Sequence, residues 1–175
     1  MTFTEVGPDV VVTLTGQINT TGLSPDVPFA SGPRMGIAPK FASLFFSEGT
    51  DMIYFIAPFV SPPRNYGTGL PFLVEPSNWS GSLFGLSSAG GSVRDLLYVP
   101  ADYVSNTSLA GTGSFVGQSF STLGLKRGSH VWTLTNQDTV TLQVGGIPEP
   151  STWMMMILGF GLIAQQLRGR FRAVV

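Results

Sequence analysis

One histidine, ten carboxylates and no cysteine set the limits of the chemistry this 175-residue chain can perform. His130, with Asp138 and a nearby serine, has the residue types of a nucleophilic triad. However, no Gly-x-Ser-x-Gly elbow is present to expose a nucleophile. His130 also follows Gly128-Ser129 at the start of a strand-like run, and a strand-edge histidine explains it better. The lack of cysteine excludes disulfides, thiolate nucleophiles and thiolate metal sites, and one histidine cannot form a zinc cluster. Glu48 with Asp51, and Asp95 with Asp102, are the carboxylate pairs that could serve glycoside hydrolysis. Glu48 and Asp51 lie around one turn, where solvation accounts for them equally well. No Asp-x-Asp-x-Asp loop supports a calcium site.

Three aromatic residues in loop-like stretches, Tyr66, Trp79 and Tyr103, could together form a platform for sugar rings. The plainer reading is that they plug the ends of a two-sheet core. Asn19-Thr20-Thr21, Asn78-Trp79-Ser80 and Asn106-Thr107-Ser108 fit the glycosylation acceptor pattern, a short match that arises readily by chance.

The elements that would carry these residues read as strands. Val10, Val12 and Leu14 alternate with Val11, Thr13 and Thr15, giving a strand with one apolar face. The turn chemistry of Gly7-Pro8-Asp9 predicts a hairpin of Thr2–Val6 with Asp9–Thr15. A second pair is expected from Phe41–Phe46 and Asp51–Ile56 around Ser47-Glu48-Gly49-Thr50, with weaker strands at Gly81–Leu86, Leu96–Val99 and Phe115–Leu123. The clearest hairpin joins His130–Thr135 to Thr139–Val144 through Asn136-Gln137-Asp138, residues that tolerate left-handed backbone, with Trp132 and Leu134 facing the core. Ser24–Pro39, Pro58–Pro71 and Ser87–Ser92 read as loops, and no amphipathic helix of convincing length precedes residue 147. Many short strands with regular turn signals predict a small β-sandwich with Greek-key connections.

Composition agrees with one domain and a tail. The chain is 43% hydrophobic with 13 Phe, apolar enough for a core, and only 11% charged. Residues 1–150 carry six basic against ten acidic side chains, a net charge of −4; residues 151–175 carry three arginines and no acid. A body of that charge has no basic stripe for phosphates, so nucleic-acid binding is not expected.

The tail is the most specific stretch. Ile147-Pro148-Glu149-Pro150-Ser151-Thr152-Trp153 leads into an apolar run ending at Ala164, followed by Arg168, Arg170 and Arg172. As a helix, 153–167 would be roughly 22 Å long, short of a hydrocarbon core about 30 Å thick. On length alone a buried or interfacial helix would do. Trp153 at one end, arginines at the other, and no polar face before Gln165 favour a short membrane segment with the arginines cytoplasmic. Arginine stems can snorkel to extend such a span. Pro148 and Pro150 place the helix start near Ser151 or Thr152, both competent caps.

In that order and at that terminus, Ile147–Arg172 resembles the PEP-CTERM sorting domain of Gram-negative bacteria, over 26 of the 175 residues. The resemblance implies recognition by an exosortase, a membrane-embedded cysteine transpeptidase, followed by delivery to the cell surface or exterior. Pro148, Glu149, Pro150, Ser151, Thr152 and Trp153 would then be substrate residues, and Arg168, Arg170 and Arg172 the membrane stop. The family usually ends in a tight arginine cluster; here the basic end is spread out after Gln165 and Gln166. Members normally enter export through a signal peptide, and Met1-Thr2-Phe3-Thr4-Glu5 has neither a basic start nor an apolar region. A start recorded too late, or a fragment, is the expectation.

The sequence therefore predicts an all-β, sandwich-like extracytoplasmic domain over 1–146 and a sorting signal over 147–172 with a short transmembrane helix at 153–167. The favoured role is a non-enzymatic surface or matrix protein without cofactor, associated through the resemblance with exopolysaccharide and biofilm. The competing class is a secreted carbohydrate-active hydrolase with an unrecognised carboxylate site.

Overall fold

The computed structural model describes residues 1–26, 35–48, 51–56, 58–69, 73–88 and 95–146. Met1–Gly145 make one compact all-β unit. The valine-rich alternation near the N-terminus forms β2 (Asp9–Gln17), whose Val10, Val12 and Leu14 are buried, antiparallel to β1 (Thr2–Val6). The expected hairpin is present, and its second strand runs two residues further than predicted. The C-terminal hairpin is also present, as β11 (Gly128–Thr133) and β12 (Thr139–Val144), with Gln137 at φ 71° in its turn and Trp132 and Leu134 fully buried.

Two six-stranded sheets result. The first runs β11-β12-β1-β2-β10-β7, where β7 is Asn78–Gly81 and β10 is Ser108–Phe115. The second runs β3-β6-β9-β8-β5-β4, with β3 at Pro25–Asp26, β4 at Gly36–Ala38, β5 at Ser43–Phe46, β6 at Met52–Ile56, β8 at Phe84–Ser87 and β9 at Leu96–Pro100. Among the described pairings only β1 with β12 is parallel, Phe3 standing opposite Val144. The sheets share one apolar core. Phe46 of the second sheet lies 4.6 Å from Trp79 and 6.4 Å from Phe3 of the first, ring centre to ring centre.

Three expectations need correction. Strands β5 and β6 exist but do not pair; β8 and β9 stand between them. The cause lies in β5, whose Leu44 and Phe46 enter the main core while Phe45 packs on the other face with Met52, Leu83 and Tyr98. With both faces buried, β5 pairs with β8, where Gly85 leaves the space that Phe45's ring occupies. The expected strand Gly81–Leu86 is instead the end of β7, a crossing between sheets, and the start of β8.

The third correction concerns Phe115–Leu123. Phe115 ends β10, and turns follow it. The strand lies upstream, in Ser-Leu-Ala-Gly-Thr-Gly-Ser-Phe, which shows little apolar alternation because Gly111 and Gly113 hold space for Trp79. A Cβ on Gly111 would fall 2.5 Å from Trp79 Cζ2. Short strands also occupy parts of the stretch read as a loop at Ser24–Pro39, which closes on a 3-10 turn, Pro39–Phe41. Among the described residues no helix is long and apolar enough to cross a membrane. The expected span at 153–167 lies outside the described residues.

Candidate functional site

The candidate chemistry does not assemble where the sequence allowed it to. His130 Nε2 donates to Lys126 O at 3.1 Å, and the ring meets Tyr66 edge-on. Asp138 is roughly 13 Å further along the hairpin, four residues at about 3.3 Å each from His130's partner Leu142. Both its oxygens accept backbone bonds, Oδ2 from Asn19 N at 2.6 Å and Oδ1 from Thr139 N at 2.8 Å. His130 and Asp138 therefore do not form a triad.

The acid pairs are likewise apart or exposed. Asp95 pairs with Arg64 at 2.8 Å, and strand β9 separates it from exposed Asp102. Glu48 and Asp51 are exposed. Among the described residues no group of three or more acids or histidines could hold a metal ion.

The aromatic platform is replaced by core packing. Tyr66 is fully buried and donates from its hydroxyl to Ser43 O at 2.6 Å. Burial pushes that phenol well above its ordinary value, because the anion would have no water around it. Trp79 lies in β7, buried and stacked on Phe46. Tyr103 is a half-buried clamp: its hydroxyl accepts from Ile18 N at 2.9 Å and lies 2.8 Å from Thr107 O, to which it donates. The plug reading of these residues is the one the packing supports.

A polar site does form where the sequence marked only turns and acceptor patterns. At the end of β2, residues 18–23 meet the turn before β10 and the Asn136–Asp138 turn. Asn136 Nδ2 donates to Asn19 O at 2.7 Å and Thr21 O at 3.0 Å, while Ser105 Oγ donates to Asn19 Oδ1 and accepts from Thr20 N. These bonds fix three separate segments around an open groove of about 330 Å³ lined by Gln17, Asn19, Asn106, Asn136, Gln137 and Asp138. A cleft of about 220 Å³ adjoins it at Gln17, with Leu14, Ile18, Phe84, Leu109 and Val140 among its walls. Strand β12 begins beside the groove and ends at Val144, so the groove and Gly145 lie at opposite ends of that strand.

The other site is the tail. Pro148, Glu149, Pro150, Ser151, Thr152 and Trp153, and Arg168, Arg170 and Arg172, lie outside the described residues. At its threshold, Gly145 N donates to Phe3 O at 2.8 Å, and Gly145 has φ 85° beside Arg127 and Phe120.

Comparison with known proteins bears on this tail alone. No curated protein and no solved structure matches the chain. Residues 146–173 match the family model described as the PEP-CTERM protein-sorting motif. Its span includes the Pro-Glu-Pro triplet, the apolar run and all three arginines. The chain carries a PEP-CTERM sorting motif, the mark of an exosortase substrate processed at the membrane and destined for the cell surface or the exterior.

Proposed function

We propose that the protein is a non-enzymatic component of the cell surface or extracellular matrix, built as a two-sheet sandwich and carried to its place by its own C-terminal signal. The match to the sorting motif is the observation that carries this reading. In it, 153–167 is a short transmembrane helix, Arg168, Arg170 and Arg172 hold the cytoplasmic side, and exosortase reads Pro148-Glu149-Pro150 on the outer side. The span is short for a permanent anchor, which suits a segment that is removed. The body is the delivered cargo, and its partner is the exopolysaccharide of a biofilm matrix.

Replacing Pro148-Glu149-Pro150 with three alanines tests the sorting step. Fractionation should find the variant in the membrane at full length, while the parent yields a shorter surface or released product. Equal surface delivery of both would overturn the reading.

A further inference from the structure

We infer that the groove lined by Gln17, Asn106 and Gln137, with the cleft beside it, is a binding site for a neutral saccharide. The inference deepens the matrix reading and rests on it for where the ligand is met, but not for how the protein is sorted.

The rim of the groove is made mainly of carboxamides. Each carboxamide offers two donor hydrogens and an acceptor oxygen, the pairing that a ring of hydroxyls needs. Among the described residues the side-chain amides of Gln17, Asn106 and Gln137 have no partner within the protein, and all three are exposed. The other members are engaged in holding the segments together.

Among the described residues Asp138 is the sole ionisable side chain of the groove's lining, and both its oxygens are already bonded to backbone N–H groups. Among those residues no cation lines the groove to meet a uronate or phosphate. The ligand it suits is uncharged.

The adjoining cleft shares Gln17 with the groove and adds the exposed hydroxyls of Thr15, Thr139 and Thr141, with the buried core side chains Leu14, Ile18, Phe84 and Leu109 behind them. Those hydroxyls extend the row of donors and acceptors that the amides begin. Asn106 and Gln137 hold positive φ, 68° and 71°, so the loops fix where their backbones stand at the groove's edge.

Positive φ also supplies the test. Glycine adopts it freely, so Asn106→Gly and Gln137→Gly remove the amides while keeping the turns. Full-length protein in detergent micelles, labelled with 15N, is titrated with linear neutral hexasaccharides of glucose, galactose and mannose, and with oligogalacturonate as the acidic comparison. The side-chain NH₂ signals of Gln17, Asn106 and Gln137 should shift with at least one neutral sugar. The double glycine variant, with an unchanged melting temperature, should bind about tenfold more weakly. If the double variant melts earlier, Gln17→Ala, at the exposed end of β2, replaces it with the same expectation. Failure of every neutral sugar, tighter binding of the acidic one, or full affinity in a folded variant would overturn the assignment. Mislocalisation of the alanine variant concerns sorting alone and leaves this result unaffected.

Discussion

The indole N–H of Trp132, in β11 of one sheet, donates 2.8 Å to Ser88 Oγ, which follows β8 of the other. Both side chains are fully buried. Ser88 Oγ donates onward to Pro63 O at 2.7 Å, and Arg64 Nη1 reaches Ser88 O while pairing with Asp95. One hydroxyl thus joins the two sheets and the 58–69 segment. Ser88→Ala leaves the indole donor without an acceptor in a dry site, and should cost about 1–3 kcal/mol in urea unfolding. A double-mutant cycle with Trp132→Phe should show a coupling of about 1 kcal/mol; strict additivity would mean that the bond does not stabilise the fold.

Gly111→Ala tests the bed on which Trp79 lies. The new methyl would fall 2.5 Å from Cζ2 and 2.8 Å from Cη2 of a ring already stacked on Phe46. Overpacking of this kind costs about 1–3 kcal/mol. Trp79→Phe removes the clashing atoms, and with them an indole N–H that is buried without a partner. Gly111→Ala should therefore be less harmful in the Trp79→Phe background than in the parent, as read from melting temperatures. An equal loss in both would show that the β10 backbone, not the ring, is the constraint.

Local signals explain what the sequence made legible. Gly7-Pro8 and Asn136-Gln137-Asp138 each set a hairpin with neighbours in the chain, and both hairpins are present, with the ends of β2 and β11 displaced by two residues from the expected ones. Strand β10 carries no local mark because its inner positions are glycines whose space is filled by a tryptophan about thirty residues upstream. Strand β5 is legible but its pairing is not, because its partners, β4 and β8, are set by burial on both faces. The parallel pairing of β1 with β12 joins the two ends of the body and has no local mark at all. The amide groove was invisible for the same reason: Asn19 and Asn106 read as acceptor patterns and Asn136–Asp138 as a turn, and only tertiary structure brings them together. The sorting motif, by contrast, is linear and was fully readable.

Alkaline stability should follow Tyr66. Its phenol is raised by burial, so the folded state holds the proton to higher pH than the unfolded chain, which releases it near pH 10. The stabilisation is fully present below about pH 10 and is lost as pH climbs from there toward the folded value, at about 1.4 kcal/mol per unit for one proton. Tyr98, raised by burial first and then by the charge of Tyr54, adds a decline of the same sign over a narrower pH range. Tyr66→Phe should be less stable at neutral pH, having lost its bond to Ser43 O, and should show a shallower decline above pH 10. Parallel declines in parent and variant would place the alkaline transition elsewhere.

Tyr103 should control the order of the groove without touching a ligand. Its hydroxyl is bonded to Ile18 N, Ile18 O and Thr107 O, linking the segment after β2 to the turn that carries Asn106. Tyr103→Phe keeps the ring but leaves the Ile18 N–H, in a buried residue, without its acceptor. The expected loss is about 1–3 kcal/mol. Hydrogen exchange should localise it: the Ile18 and Thr20 amides, protected by Tyr103 Oη and Ser105 Oγ, should exchange faster, while the Leu142 amide in β12 should slow or speed only with global stability. Uniform acceleration across both sites would show that the clamp serves the whole fold and not the groove.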